Sequence, residues 1–256
     1  MIPKTIHYCW FGNSPKPDLF YKCFNSWKKY CPAFEIVEWN DSNYDFTKNH
    51  YCHDAFEQKK WAFVSDYARL DIIYNHGGIY LDTDVEIVRP ITDLLDGCNG
   101  FIGYENEILI NSGLGFSAPA HNSCIGQMLD IYNYINFYDS KGAPNLIPCP
   151  AINTLAMIKC GLSPHYDPND IQIIDGIKVL PIDYLNPYDL SSNKVIITKN
   201  TYMIHHYMAS WFNIKFAVKK ILRQAFPAFY LRKREKNISA KRLEQLRKDI
   251  SPSYFD

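Results

Sequence analysis

The stretch Gly77-Gly78-Ile79-Tyr80-Leu81-Asp82-Thr83-Asp84 decides the fold. Its two glycines stop the helical pattern that precedes them, and one is well placed for the left-handed conformation that closes a helix. Ile79-Tyr80-Leu81 is then a short apolar strand that feeds directly into two carboxylates. In open α/β sheets, the carboxyl edge of the strands is where ligands bind. Side chains two apart on a strand face the same way, so Asp82 and Asp84 are expected to converge on one cation. Hard divalent ions such as Mn²⁺ or Mg²⁺ take oxygen ligands and keep positions open for substrate phosphates. A bare D-x-D also occurs on solvated loops; the glycine-strand run ahead of it is what favours a site.

Upstream, the pattern predicts one long helix over 54–75, where Trp61, Val64, Ala68, Leu70, Ile72 and Ile73 supply more than one apolar face. Asp66 and Arg69 lie three apart and share a helix face. Arg suits oxyanions and a carboxylate accepts protons from sugar hydroxyls. The alternative is an ordinary surface ion pair, worth only about 0.3 to 0.5 kcal/mol. Further out, Ile2 to Trp10 reads as a buried strand broken by the turn formers at 11–15. A helix follows from Asp18 to Tyr30, with Leu19, Phe20, Phe24 and Trp27 at helical spacing, and a strand over 34–39. A polar loop is expected over 40–53. Downstream, strands are expected at 100–104, 113–117, 177–180, 195–197 and 201–206, and helices at 123–137 and 151–160. Strands alternating with helices make this an α/β sheet.

At 256 residues and 47% hydrophobic content the chain suits one globular domain with a small appendage, and disorder is excluded for most of it. Its formal net charge is zero but unevenly placed: residues 211–256 hold 12 of the 27 Lys+Arg and 4 of the 27 Asp+Glu, a net +8 against −8 for the rest. The main body is therefore not a nucleic-acid binder. Eight cysteines without C-x-x-C spacing, and no signal peptide before them, point to a reduced, cytoplasmic compartment. His50, Cys52 and His53 lack the second pair of soft ligands that zinc needs. No apolar run has the length of a membrane span.

Three ordered blocks carry a resemblance: Ile2-Pro3-Lys4-Thr5-Ile6-His7-Tyr8-Cys9-Trp10-Phe11-Gly12, then Ala62-Phe63-Val64-Ser65-Asp66-Tyr67-Ala68-Arg69, then Gly77 to Asp84. Together they resemble glycosyltransferase family 32, which includes bacterial capsule and lipopolysaccharide transferases and fungal initiating α-mannosyltransferases, and is distantly related to the clostridial glucosylating toxins. The match spans roughly residues 1–120, with a later echo at His205 to Trp211. The resemblance implies a GT-A fold and retaining transfer from a nucleotide-sugar donor, a UDP-hexose before GDP-mannose, to a glycan or lipid-linked oligosaccharide. On the matching positions, Trp10 stacks on the base, and Ser65, Asp66 and Arg69 belong to the donor-sugar grip. Tyr80 packs near base and ribose, Asp82 contacts sugar or ribose hydroxyls, and Asp84 ligates the metal. Of His205 and His206, which point to opposite sides of a strand, His206 is the expected further ligand. Ser210 and Trp211 resemble the family's closing Ser-Trp, and Asn111 is a weaker candidate on the sugar or acceptor side. An inverting enzyme would instead need a carboxylate base, for which Glu105, Glu107 and Asp183 are available.

A catalytic domain over 1–210 and a basic, partly amphipathic helical tail over 211–256 complete the expected organisation. The tail suits an anionic membrane surface, or else packs on the domain and shows its lysines to water. Two rival functions remain at this stage. Asp82-Thr83-Asp84-Val85 also resembles the haloacid-dehalogenase phosphatase motif, although that motif normally follows the first strand of its chain. The other is a non-catalytic glycan-binding module.

Overall fold

The computed structural model describes residues 2–145, 147–189, 194–208 and 228–250. It opens with β1 (Thr5–Cys9), α1 (Asp18–Tyr30) and β2 (Glu35–Trp39), the expected strand-helix-strand unit. Helices α2 (His50–Glu57) and α3 (Trp61–His76) lead to β3 (Gly78–Tyr80) and β4 (Val85–Ile87). Then come β5 (Gly100–Tyr104), β6 (Ile110–Asn111), β7 (Phe116–Ala118), α4 (Ser123–Ile131) and α5 (Cys149–Lys159). The last third holds β8 (Gln172–Ile174), β9 (Ile177–Leu180), α6 (Ile182–Leu185), β10 (Tyr188–Asp189), β11 (Lys194–Val195), β12 (Met203–His205) and α7 (Ala228–Asp249).

The main sheet runs β2-β1-β3-β7-β5-β9-β8, with β6 paired to β5. The β2-β1-β3 portion is parallel, while β7 runs antiparallel to both β3 and β5. This mixed sheet has helices on its faces and is the α/β, GT-A architecture expected. One apolar layer gathers residues of α2 to α5 and includes Tyr80 and Phe116; the other joins Phe20, Cys23 and Trp27 of α1 to Ile6, Ile79, Leu81 and Phe101. The loop between β3 and β4 therefore emerges at the carboxyl edge of the parallel strands.

The helix expected over 54–75 is two helices. The Asn49 side chain accepts from the N–H groups of Tyr51 and Cys52, so a helix starts inside what reads as a polar loop. Lys59, at a φ of 53°, then ends it with a left-handed residue before α3 begins. The helix expected over 123–137 stops at Ile131. His50 hydrogen-bonds the Ile135 carbonyl at 2.9 Å, so it has a structural partner rather than a metal.

Gly77 and Gly78 hold φ angles of 65° and 102°. A Cβ on either would fall 2.7 Å from Ala120 N or 2.8 Å from Thr5 O, so conformation and space both require glycine here. Beside them, Trp39 Nε1 donates to His7 Nδ1 at 3.1 Å, which leaves the His7 proton on Nε2 to donate to the Gly77 carbonyl at 3.1 Å. Burial, with the nearby His76, pushes the His7 pKa down to about 4. A neutral ring thus fixes the turn that launches β3.

At the far end, Leu246 and Ile250 are buried in the same apolar layer as α5. Lys236 pairs with Glu107 at 3.0 Å, and Asn106 donates to Ser239 Oγ at 3.3 Å. Residues 236–250 thus pack on the body. Ser210, Trp211 and the amphipathic run from 212 to 226 lie outside the described residues. No helix among the described residues is long and apolar enough to cross a membrane.

Candidate metal and donor-sugar site

Asp82 and Asp84 sit in a turn, not on a strand: β3 ends at Tyr80, and Val85 N donates to the Asp82 carbonyl at 3.0 Å. The turn, rather than the pleat of a strand, brings the two carboxylates together. β12 pairs antiparallel with β4 and carries His205 opposite Val85. His205 Nε2 lies 3.2 Å from Asp84 Oδ1, and one ligand atom each from Asp82, Asp84 and His205 can be chosen within 4.8 Å of one another.

This corrects the choice of His206. Ile204 pairs with Glu86, so strand alternation turns His206 to the Glu86 side, where its Nε2 is 2.8 Å from the Glu86 carboxylate, itself 2.7 Å from Lys22. Asp84 is firmly held: Oδ2 accepts from Met208 N at 2.7 Å, and its carbonyl accepts from His206 N at 3.0 Å. Burial works against its charge, but His205 and the hydrogen bond from Met208 N outweigh it and hold the pKa down at about 2. Burial likewise opposes a charged His205, yet Asp84 raises its pKa. The other ring nitrogen of His205, Nδ1, is buried and has no hydrogen-bond partner among the described residues. Two carboxylates and an imidazole with a spare nitrogen form a donor set that fits a divalent cation.

Arg69 sits beside this group, 4% exposed. Its Nε donates to the Ser65 carbonyl at 3.0 Å and its Nη2 to Ser65 Oγ at 3.3 Å; Nη2 also lies 3.0 Å from Asp66 and 3.1 Å from Asp82. The expected i,i+3 pair is therefore neither isolated nor at the surface. Burial opposes its charge, but Asp82 and Asp66 keep the guanidinium protonated. Burial raises the pKa of Asp66 to about 6 despite Arg69, and that of Asp82 is also raised by burial. Ser65 steers Arg69 instead of standing free for a ligand.

Tyr80 departs from its expected role. It is 1% exposed, with its ring 5.3 Å from the Arg69 guanidinium and 6.0 Å from the Phe116 ring. Its ring supports Arg69 from within the core and has no face left for a base. Trp10 is half-buried at the end of β1; its Nε1 donates to the Ser14 carbonyl at 2.8 Å, and Lys16 lies 5.9 Å from its ring.

Sequence reasoning ranked Asn111 low and missed its neighbours. Asn111 Oδ1 accepts from Gly113 N at 2.6 Å, and a Cβ on Gly113 would fall 2.8 Å from both Arg69 Nη1 and Asp82 Oδ2. Ser112 Oγ lies 3.2 Å from Cys149 Sγ at the start of α5, and Asn153 Oδ1 accepts from Ser112 N at 2.9 Å. The Cys149 thiol, whose pKa burial raises well above its ordinary value, also bonds Asp66. Nothing in the spacing of 149 and 66 announces this contact. Asp183 is taken up by Thr198 and Asn200, and Glu107 by Lys236.

Residues 17–102, which include α3, the D-x-D turn and Arg69, match the glycosyltransferase sugar-binding region containing a DXD motif. The chain is a DXD-type glycosyltransferase. It is similar to an uncharacterized glycosyltransferase of Acanthamoeba polyphaga mimivirus, 27% identical over 82% of this chain and 84% of that one. It is also similar to a human alpha-1,4-N-acetylglucosaminyltransferase, 27% identical over 52% of this chain but 35% of that protein. Among solved structures, the PaToxG glycosyltransferase covers 62% of this chain and 69% of its own at 22% identity, with a TM-score of 0.48. The phosphatase reading of this glycosyltransferase is not favoured: Asp82, its nucleophile there, is paired with Arg69.

Proposed function

We propose that this glycosyltransferase binds the diphosphate of a nucleotide-sugar through Mn²⁺ or Mg²⁺ held by Asp84, Asp82 and His205, and transfers a hexose with retention of configuration. The observation that carries the reading is the convergence of Asp82, Asp84 and His205 beside the Arg69–Asp82 contact at 3.1 Å. The bound cation would supply charge neutralisation for the leaving diphosphate. Arg69, pinned by Ser65, Asp66 and Asp82, presents a fixed positive charge there at no cost in reorganisation. Asp82 and Asp66 offer carboxylate oxygens to sugar hydroxyls, and Trp10 offers an indole face to the base. Ser210 and Trp211 are assigned by the family resemblance to close over the diphosphate.

A UDP-hexose is the favoured donor and GDP-mannose the second. The acceptor is a glycan or lipid-linked oligosaccharide, as in capsule or lipopolysaccharide assembly. Residues 1–210 form the catalytic unit, and the basic segment after it attracts an anionic membrane surface. The test is a donor-hydrolysis screen over UDP- and GDP-sugars with Mn²⁺ and with chelator, repeated on Asp84→Asn. Turnover should require metal and fall sharply in the variant; chelator-resistant turnover by Asp84→Asn refutes the metal role, and product of inverted configuration refutes retention.

A further inference from the structure

Few large apolar side chains are exposed among the described residues, and three of them are consecutive: Val195 at 41%, Ile196 at 51% and Ile197 at 62%. Exposed single aliphatics need no explanation, but a contiguous run does. Exposed lysines stand on both sides of it, Lys194 and Lys199.

The run is held out by its backbone. Lys194 pairs across the β10–β11 hairpin with Asp189, and Ile196 N donates to the Pro187 carbonyl at 2.7 Å. On the other side, Thr198 Oγ1 donates to Asp183 Oδ2 at 2.8 Å and Asn200 Nδ2 to the same oxygen at 3.2 Å, while Thr201 Oγ1 donates to the Asp183 carbonyl at 2.9 Å. Asp183 therefore spends its hydrogen bonds anchoring the loop. Next along the chain, Tyr202 stacks on Tyr184 with ring centroids 6.2 Å apart, and the Arg89 guanidinium lies 4.8 Å from the Tyr202 ring. Half-buried tyrosines beside a cation are the side-chain types that partition to a lipid headgroup layer.

We infer that residues 194–199 are a membrane-docking tip, in which Val195, Ile196 and Ile197 enter the acyl boundary while Lys194 and Lys199 meet anionic headgroups. Charge selects this occupant over a second copy of the chain: exposed lysines bracket the apolar run on both sides. Three aliphatics alone give shallow, reversible insertion, and the lysines supply the second signal that stable attachment needs. β12 begins four residues beyond Lys199 and carries His205, so docking would set the metal site at a fixed height above the lipid surface. This extends the proposed function by naming the surface on which a lipid-linked acceptor is met, and its readout requires no turnover.

The full chain is sedimented with phosphatidylcholine vesicles, with and without phosphatidylglycerol. Wild type should pellet with the anionic vesicles, and Ile196→Asp/Ile197→Asp should lower the bound fraction about tenfold. Lys194→Glu/Lys199→Glu should abolish the preference for anionic lipid. Circular dichroism and metal binding of both variants should match wild type, because neither site touches the core. Equal pelleting of wild type and the aspartate variant overturns the inference in favour of the tail alone. Absence of pelleting by wild type overturns it outright, and concentration-dependent self-association lost in the aspartate variant identifies a second copy as the occupant.

Discussion

Replacing Gly113 by alanine tests how tightly the site is built. The added Cβ would lie 2.8 Å from Arg69 Nη1, 2.8 Å from Asp82 Oδ2 and 2.9 Å from Asn111 Oδ1, whereas ordinary contact begins near 3.4 Å. The three atoms must therefore retreat by roughly 0.5 to 0.6 Å. None can do so alone. Arg69 is tied to Ser65, Asp66 and Asp82, and Asn111 receives the Gly113 N–H. The Arg69–Asp82 pair must shift as a unit relative to Asp84 and His205. Misplacement on this scale costs about 10- to 100-fold in turnover, and overpacking a buried glycine costs about 1 to 3 kcal/mol of stability. The assay is kcat for donor hydrolysis with saturating Mn²⁺, alongside a urea unfolding curve. If the variant turns over at the wild-type rate, the placement of Arg69 and Asp82 over Gly113 is not what positions the donor.

Three further outcomes follow from other parts of the fold. His7 has a folded pKa of about 4 against an ordinary 6.5, so the unfolded chain binds the extra proton first as pH falls. Its contribution is complete above about pH 6.5 and is lost toward pH 4, amounting to about 3 kcal/mol; His7→Gln should flatten that part of a pH series of urea midpoints, and unchanged slopes would disprove the assignment. His205→Ala should weaken Mn²⁺ binding by about tenfold or more in calorimetry, while His206→Ala, which loses only the Glu86 contact, should leave it near wild type. The opposite ranking would restore His206 as the ligand. Leu246→Ala removes a side chain that is 2% exposed and should cost about 2 to 4 kcal/mol in unfolding; a loss within experimental error would show that α7 does not share the core.

Much of this was legible without coordinates. Local chemistry marks Gly77 and Gly78 as a helix stop, Ile79 to Leu81 as a strand and Asp82-Thr83-Asp84 as its carboxyl-end cargo, because each signal is carried by adjacent residues. The Asp66–Arg69 pair was equally visible, since three residues apart on a helix means neighbours. The break between α2 and α3 was not, because Lys59 in a left-handed conformation has no compositional mark. Tyr80 was misread for a related reason: an aromatic in a short apolar strand looks the same whether it faces a ligand or the core. Burial among Arg69 and Phe116 settles it for the core.

By itself the sequence marked the candidate residues of the site and where the sheet edge lies, because strand, turn and helix preferences act over a few positions. Only the tertiary structure decided which partners they meet. The register of β12 on β4 selects His205 over His206, and α5 brings Cys149 and Asn153 to Ser112 from some forty residues away. The physical reason is that side-chain alternation says a residue points one way or the other, whereas strand register and helix packing, set by burial of the whole core, fix what lies in that direction.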